Sequence, residues 1–543
     1  MKKIVIAALL VLPTALMGQD LDPTVEVSRE YEGKLIDVHK PSLTMTVPDT
    51  LYRFDLDFDY SVFDSPYKGS YEFSPYVMEV MPASADRDAR TFYLKAGAGY
   101  TLHPVLDLLW SPVSKGAFGV DVYGLHRSYI GEYRGIGQKA AWNGYDLLSH
   151  AGADFRYDWK KVSLDFGASY YGVADKDYRR SRNYNALDAF ASLKSKLSWP
   201  EHFSYEASLA YRYAQDDPAG MSSLTGHEVK LDASFGPSFG GAGRLLFDLD
   251  LELDSYAGAV AASVGRFCFS PHYVYSKGIF RIDAGVSLSV LMNTGVSFAG
   301  RGQYVYPDVH MSLKLIPDAM KMYVHVGGGD KVNTYSSLIG RNHHLDQSYG
   351  LSGAASLMNV SFEKLSSELG FEGRISSFLS YDVRAGYVNY GSAVLDAAVM
   401  GEDGLYVPAV GYAPYQKWFA SVAWNLNTQS FRFDGTVSYN RFWGLEEKNL
   451  LLPSAFDADV SALYNWNGRI YAGLDCMFAS SRVSGTGFSV PWYLDLGVYA
   501  EYALSRRISF WLRGGNLLDM EIQRNLLYAE KGINFTAGIC LNL

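Results

Sequence analysis

The sequence predicts an all-β fold: a transmembrane antiparallel β-barrel of about 22 strands, with short turns at one end and longer loops at the other. Three observations lead there. Apolar and polar residues alternate with a period of two, the mark of strands with one greasy and one wet face. The alternating runs reach about ten residues or more, the length that crosses a bilayer when tilted, whereas strands of soluble sandwiches run about 5–6. The connections between runs alternate between short and long.

The stretch 243–258 shows the first property well. Asp248, Asp250, Glu252 and Asp254 take every second position, with Leu245, Phe247, Leu249, Leu251 and Leu253 between them. Acids are poor strand formers, so four in alternation need a structure that accommodates them. A membrane barrel does, because its apolar face meets lipid and its polar face lines a wet interior. The run before carries Glu228, Lys230 and Asp232 on one face, and the run after carries Arg266 and His272. These groups are expected to face the lumen as a charge-balanced wall. No metal site is expected there, because side chains two apart on a strand are about 7 Å apart.

The runs 162–170, 280–290, 431–439 and 494–502 alternate in the same way. Short connections fall at 159–161, 199–203, 465–469 and 504–508, and longer ones at 173–184, 216–224, 326–361, 389–415, 444–453, 483–492 and 517–532. In such barrels the short turns are periplasmic. Trp110, Trp159, Trp199 and Trp466 beside them are expected to form an aromatic girdle. Counting back from the C-terminus gives about 21 strands down to one long run at 92–110, and single-chain bacterial barrels take even numbers. "LYRFDLDFDYSVF" at 51–63 is therefore expected as the first strand, which places the barrel at 51–543.

The chain opens "MKKIVIAALLVLPTALMGQD". Lys2 and Lys3, an apolar core from Ile4 to Leu12 and the small Gly18 predict a secretory signal peptide over 1–18. Residues 19–50 carry mixed charge and few apolar groups, too few for a core of their own. An extended periplasmic or lumenal segment is expected there. The net charge of -10 argues against a nucleic-acid partner. Cys268, Cys476 and Cys540 lie too far apart for a disulfide framework or a metal motif.

Enzymatic chemistry and a cofactor are not expected. Most histidines are scattered singly, and catalysis needs a nucleophile and base within hydrogen-bond reach. His343 and His344 are adjacent, and neighbours on an extended chain point opposite ways, so a zinc grouping with Asp330 and Asp346 is weak. "DKDYRRSRNYN" at 175–185 puts Lys176, Arg179, Arg180 and Arg182 in an outer loop, expected to be simply solvated, with pairing to lipopolysaccharide phosphates as the alternative.

The C-terminal "WLRGGNLLDMEIQRNLLYAEKGINFTAGICLNL" resembles the last hairpin of TonB-dependent receptors. Gly515, Asn516, Leu517, Leu518 and Asp519 match the end of the penultimate strand, and Gly532, Phe535 and Gly538 match the closing strand. Ile533 stands where that family often has Arg, and Leu543 replaces the usual terminal aromatic. "KLIDVHKPSLTMTVPDT" followed by "YLKAGAGYTLHPVLDLLWSP" resembles plug-less TonB-receptor-like barrels of the Bacteroidota. The segment 23–30, "PTVEVSRE", has a distant likeness to a TonB box but reads first as an extended periplasmic tail. The resemblance implies a Gram-negative outer-membrane location among lipid and lipopolysaccharide. It also implies insertion by the outer-membrane assembly machinery, which would read the alternating Phe535, Ala537, Ile539, Leu541 and Leu543. Two functions fit: a conduit for a solute, or a structural or accessory subunit of a larger secretion, assembly or uptake complex, with a protein partner.

Overall fold

The computed structural model describes residues 91–543 apart from 101, 114–115, 137–139, 197–202, 240–241, 295–301, 318, 346–356 and 402–403. Among the described residues, 22 long strands pair antiparallel in chain order and close into a ring. The first strands are β1 (Phe92–Gly99), β2 (Val105–Val113), β3 (Phe118–Tyr133), β4 (Trp142–Asp158), β5 (Val162–Lys176), β6 (Ser181–Ser195), β7 (Ser204–Pro218) and β8 (Leu224–Gly236). Then come β9 (Gly243–Gly258), β10 (Ala262–Lys277), β11 (Phe280–Thr294), β12 (Gln303–Ile316), β13 (Met320–Asn333), β14 (Asn359–Ser376), β15 (Leu379–Met400) and β16 (Tyr406–Asn427). The ring is completed by β17 (Phe431–Trp443), β18 (Phe456–Trp466), β19 (Ile470–Ala479), β20 (Tyr493–Ala503), β21 (Ile508–Gly515) and β22 (Asn534–Asn542).

β1 pairs with β2 on one side and with β22 on the other, from Tyr93↔Asn542 to Gly99↔Thr536. The ring therefore has no free edge, which removes the aggregation hazard of unpaired strands. The run 92–110, expected as one strand, is two. Pro104 has no N–H to give the ladder, and the chain reverses there, so Gly97 faces Val105. The stretch 51–63, expected as the first strand, lies outside the described residues.

Strand length is uneven. β1 has 8 residues and β2 has 9, whereas β15 and β16 have 22 each. Two regions expected as longer loops are thus strand tips. At 173–184 only four residues, 177–180, turn the chain, and Asp177 Oδ1 accepts the N–H groups of Arg179 and Arg180 at 2.7 Å each. At 389–415 the turn is 401–405. At the opposite end the turns are short. One contains Asn467 and Gly468, both left-handed (φ 53° and 68°), as tight hairpin turns require.

The two faces of the ring differ. Leu187, Leu209, Leu231, Leu253, Phe267 and Leu288 are exposed on the outer face, along with many other large apolar side chains. Such a belt is what a bilayer-spanning barrel presents to lipid. Trp110, Trp159 and Trp466 stand exposed beside the turn end, Trp466 at 60%. Trp199 lies outside the described residues.

At the loop end the strands bend inward. Register shifts occur at Gly327/Gly329 in β13, at 362–365 in β14 and at Tyr390/Ala393 in β15. These bulges are neighbours through the ladder, and a bulge bends the strand that carries it. After β13 the chain forms one helix, α1 (Tyr335–Arg341). Thr334 caps it, its Oγ1 accepting the Ser337 N–H at 3.2 Å. Tyr335, Leu338 and Ile339 fall on one helical face and are buried, Tyr335 completely. They pack with Val173 of β5, Tyr184 of β6, Leu224 of β8, Val264 of β10 and Val410 of β16. Only a helix inside the ring can meet strands so far apart around it.

Two further layers cover α1. Ala393, Leu395 and Ala397 of β15 and Ala409 and Ala413 of β16 pack on Leu450. Leu451, Val490, Leu526, Leu527 and Tyr528 form the outermost cluster. The tip of the β15–β16 hairpin thus buries one face on α1 and the other under residue 450. Together these elements form a cap at the loop end.

Candidate functional site

The inner wall comes first. Pairing sets Glu252 between Lys230 of β8 and Arg266 of β10, and Asp248 between Ser234 and Ser270. The face is the inner one: Tyr256, two residues beyond Asp254, accepts the Tyr335 N–H of α1 on its hydroxyl at 3.1 Å. Arg266 lies 2.7 Å from Asp250, 2.5 Å from Asp330 and 3.9 Å from Glu252. Lys230 lies 3.5 Å from Asp232, and His272 lies 3.0 Å from Asp248 and 2.6 Å from Asp283. Glu228 accepts the Tyr256 hydroxyl at 2.7 Å. Asp254 is 3% exposed, with no hydrogen bond to either oxygen. Asp232, Asp248, Asp250, Arg266, Tyr306 and Asp330 line an open recess of about 530 Å³.

Asp330 belongs to this wall rather than to the pair His343–His344, and Asp346 lies outside the described residues. Among the described residues no three His, Cys, Asp or Glu groups have a geometry that would hold a metal ion.

The second constellation ties α1 to the wall, and Arg182 is its centre. The expectation that Arg182 stands in a solvated outer loop is wrong. It lies on β6, points inward and is buried. Its Nε donates to Asp216 Oδ1 at 2.7 Å and one terminal nitrogen to Oδ2 at 2.8 Å. The other terminal nitrogen donates to the carbonyls of His343 at 2.7 Å and Leu345 at 2.5 Å. The Tyr335 hydroxyl bridges the pair, donating to Asp216 at 2.5 Å and accepting from Arg182 at 2.6 Å. A planar guanidinium with five donors suits this role better than an ammonium.

Two histidines complete the fastening. His343 Nε2 lies 3.2 Å from Asp146 of β4, and His344 Nδ1 lies 3.5 Å from Asp175 of β5. The His344 ring stacks on Tyr528, with centroids 3.7 Å apart. Burial pushes both imidazoles toward the neutral form. For His343 the Asp146 carboxylate overcomes that and holds the group above the ordinary histidine value. For His344 burial wins, helped by the neighbouring His343, and the group lies well below it. Arg341 at 3.0 Å and Arg482 at 2.9 Å both reach Asp396 on the β15 tip, which joins three elements of the cap.

Along the seam, from the loop end to the turn end, Phe535, Ile539 and Leu543 are exposed on the outer face. Ala537 and Leu541 alternate with them, opposite Ala98 and Leu94 of β1.

Neither α1 nor the Arg182–Asp216 fastening was foreseen from the sequence. The first left a signal, since Tyr335, Leu338 and Ile339 follow a capping Thr334 at helical spacing. The second joins residues 34 apart on adjacent strands, and inward-facing polar groups are commonplace in barrels.

No family model matches the chain, and no curated protein matches it. Solved structures do. The copper transporter OprC is similar with a TM-score of 0.62 at 11% identity, over 83% of this chain and 80% of that one. The siderophore receptor PirA from Acinetobacter baumannii gives 0.62 at 11% identity, over 84% and 80%. The ferric-catecholate import receptor Fiu from E. coli K12 gives 0.61 at 10% identity, over 84% and 82%. Identity this low speaks to the fold alone: the closed 22-strand barrel of TonB-dependent receptors.

Proposed function

We propose that the protein is a Gram-negative outer-membrane β-barrel that serves as a gated conduit for a solute. The observation that carries this reading is a ring of 22 strands whose loop end carries a packed cap built from the chain's own residues. Barrels of about 16–18 strands already leave an aqueous channel, so a ring this wide needs closure at rest. The turn end is periplasmic, where both β1 and β22 have their outer ends. Glu228, Lys230, Asp232, Asp248, Asp250, Glu252, Asp254 and Arg266 line the lumen and keep its wall wet and acidic, with Lys230 and Arg266 offsetting part of the negative charge. Phe535, Ala537, Ile539, Leu541 and Leu543 form the strand read by the assembly machinery. Residues 1–18 act as a signal peptide, and 19–50 as an extended segment with no core of its own. The chain belongs to the plug-less TonB-receptor-like barrels on this reading, and the solute's identity is left open.

A second reading, a structural subunit of a larger outer-membrane complex, is favoured by the thorough packing of the cap around Leu338, Leu451 and Leu526. Planar-bilayer recording separates the two. The full chain should conduct at a level near zero, and a variant lacking 335–345 should conduct strongly while remaining a heat-modifiable barrel. A deletion variant that stays silent would favour the subunit reading.

A further inference from the structure

We propose that the outer face of β15–β17, at the loop-end border of the membrane, binds the phosphorylated sugar headgroup of an outer-leaflet glycolipid. The proposal rests on the outer-membrane placement of the barrel and holds whether or not the barrel conducts.

The ladder fixes which side chains share this face. Phe442 packs inward against the cap, its ring 5.9 Å from that of Tyr415. Its neighbours Arg441 and Trp443 therefore point outward. Pairing puts Tyr387 and Arg441 on either side of Trp418, and Asn389 and Trp443 on either side of Gln416. Trp418 is 58% exposed, and Tyr439, two residues below Arg441 on the same face, is 52% exposed.

Strand length fixes the level. β17 leaves the turn end at Phe431. Arg441 is ten residues farther along, which at about 3.4 Å each and a tilt of about 45° places it roughly 24 Å above that end. The apolar band of such barrels is roughly 25 Å tall, so Arg441 stands at its far edge, level with the headgroups of the outer leaflet.

An aromatic girdle at that level is ordinary in a barrel. Donors without acceptors are not. Gln416 Oε1 accepts twice, from the Tyr387 hydroxyl at 3.1 Å and from Trp443 Nε1 at 2.8 Å. An indole nitrogen only donates, so this contact fixes which end of the amide is oxygen. The amide nitrogen is left with no acceptor among the described residues. The Tyr387 ring lies 5.2 Å from that of Trp418 and 6.0 Å from that of Trp443, which holds the group in place. Arg441 is exposed and makes no hydrogen bond or ion pair with any described residue.

A cation beside hydrocarbon is costly unless it reaches an anionic partner. Phosphate suits Arg441, because the planar guanidinium matches two of its oxygens at once. The Gln416 amide N–H suits a sugar hydroxyl or an acyl carbonyl. The exposed rings of Trp418 and Tyr439 offer flat apolar surface to a sugar ring. An anionic phospholipid would supply the phosphate without the ring. Arg182, which the sequence offered to such phosphates, is buried on Asp216 instead.

Native mass spectrometry of the full chain tests the site. The probe is bisphosphorylated lipid A in excess EDTA, so that no divalent cation bridges phosphate to carboxylate. The comparators are the same lipid without its phosphates, and phosphatidylglycerol. Lipid A should bind about tenfold or more tightly than its phosphate-free form. Arg441→Gln should remove that advantage and Gln416→Leu should reduce it, both variants remaining heat-modifiable barrels. Lys160→Gln, which removes an exposed cation at the turn end, should leave it intact. Lipid A binding that survives Arg441→Gln, or that falls as far with Lys160→Gln, overturns the site. Phosphatidylglycerol bound as tightly as lipid A, and lost equally with Arg441→Gln, overturns the glycolipid assignment. Where Arg441→Gln fails to fold, the phosphate-free lipid decides alone: equal binding of the two forms overturns the proposal.

Discussion

The seam and the far side of this barrel are built from the same alternating pattern but put to different uses. At the seam, β1 and β2 stop after 8 and 9 residues. Across the ring, β15 and β16 run for 22. Crossing a bilayer takes about 9–11 residues on a tilted strand, so the seam is little more than membrane wall, while the long strands have as much again to spare. Bulges at the level of Tyr390 bend that surplus inward, where it packs on α1. One pattern thus serves two solvents. Below the bulges the apolar face looks out to lipid. Above them Val407, Ala409 and Val410 are buried among other residues of the chain. An apolar strand face identifies a buried surface, and the length of the strand tells whether lipid or protein buries it.

This contrast predicts that damage to the cap and damage to the wall are separable. Arg182→Ala should have the largest effect. It strands Asp216 without a cation in a buried site, a change that costs about 3–5 kcal/mol. Limited proteolysis should then cut within 335–345, while the unheated barrel keeps its shifted mobility on a gel. Leu249→Arg should do the reverse. On the outer face near the bilayer midplane an arginine costs about 2–4 kcal/mol, read as a lower urea midpoint for the barrel with the cap segment still protected in those molecules that fold. Lys194→Ala should be the mildest. Its ammonium lies 2.9 Å from Glu206, but both side chains are more than half exposed, and such pairs contribute about 0–1 kcal/mol. A loss of barrel folding in Arg182→Ala would break the comparison, because the cap would then be part of what holds the ring closed.

Much of the ring was legible in the sequence, because the period of two is a local signal that needs no knowledge of the partner strand. The total of about 22 agrees with the ring, though not strand by strand. A hairpin at Pro104 was missed, and 51–63, counted as the first strand, lies outside the described residues. The stretch 389–415, expected as a loop, holds Gly401, Gly404 and Pro408. In the fold only 401–405 turn, and Pro408 is accommodated within β16. Of the cap, only the helical spacing after Thr334 was legible. Arg182 reads as a surface residue in "DKDYRRSRNYN". What buries it is a segment about 160 residues later in the chain, whose carbonyls at positions 343 and 345 accept from it, a long-range contact that no local pattern announces.

A wall that is low on one side also pinches the membrane. Eight residues at about 3.4 Å each, tilted by about 45°, give β1 a height of roughly 19 Å, against the apolar band of roughly 25 Å usual in such barrels. Lipids flanking the seam must shorten or splay to meet it, at fractions of a kcal/mol for each ångström of mismatch. Lipids beside β15 face no such demand. The protein therefore creates a thin spot in the bilayer next to the ladder where Phe92–Gly99 meets Asn534–Asn542. Short or disordered acyl chains should gather there, giving the molecule an orientation relative to its neighbours in the plane of the membrane.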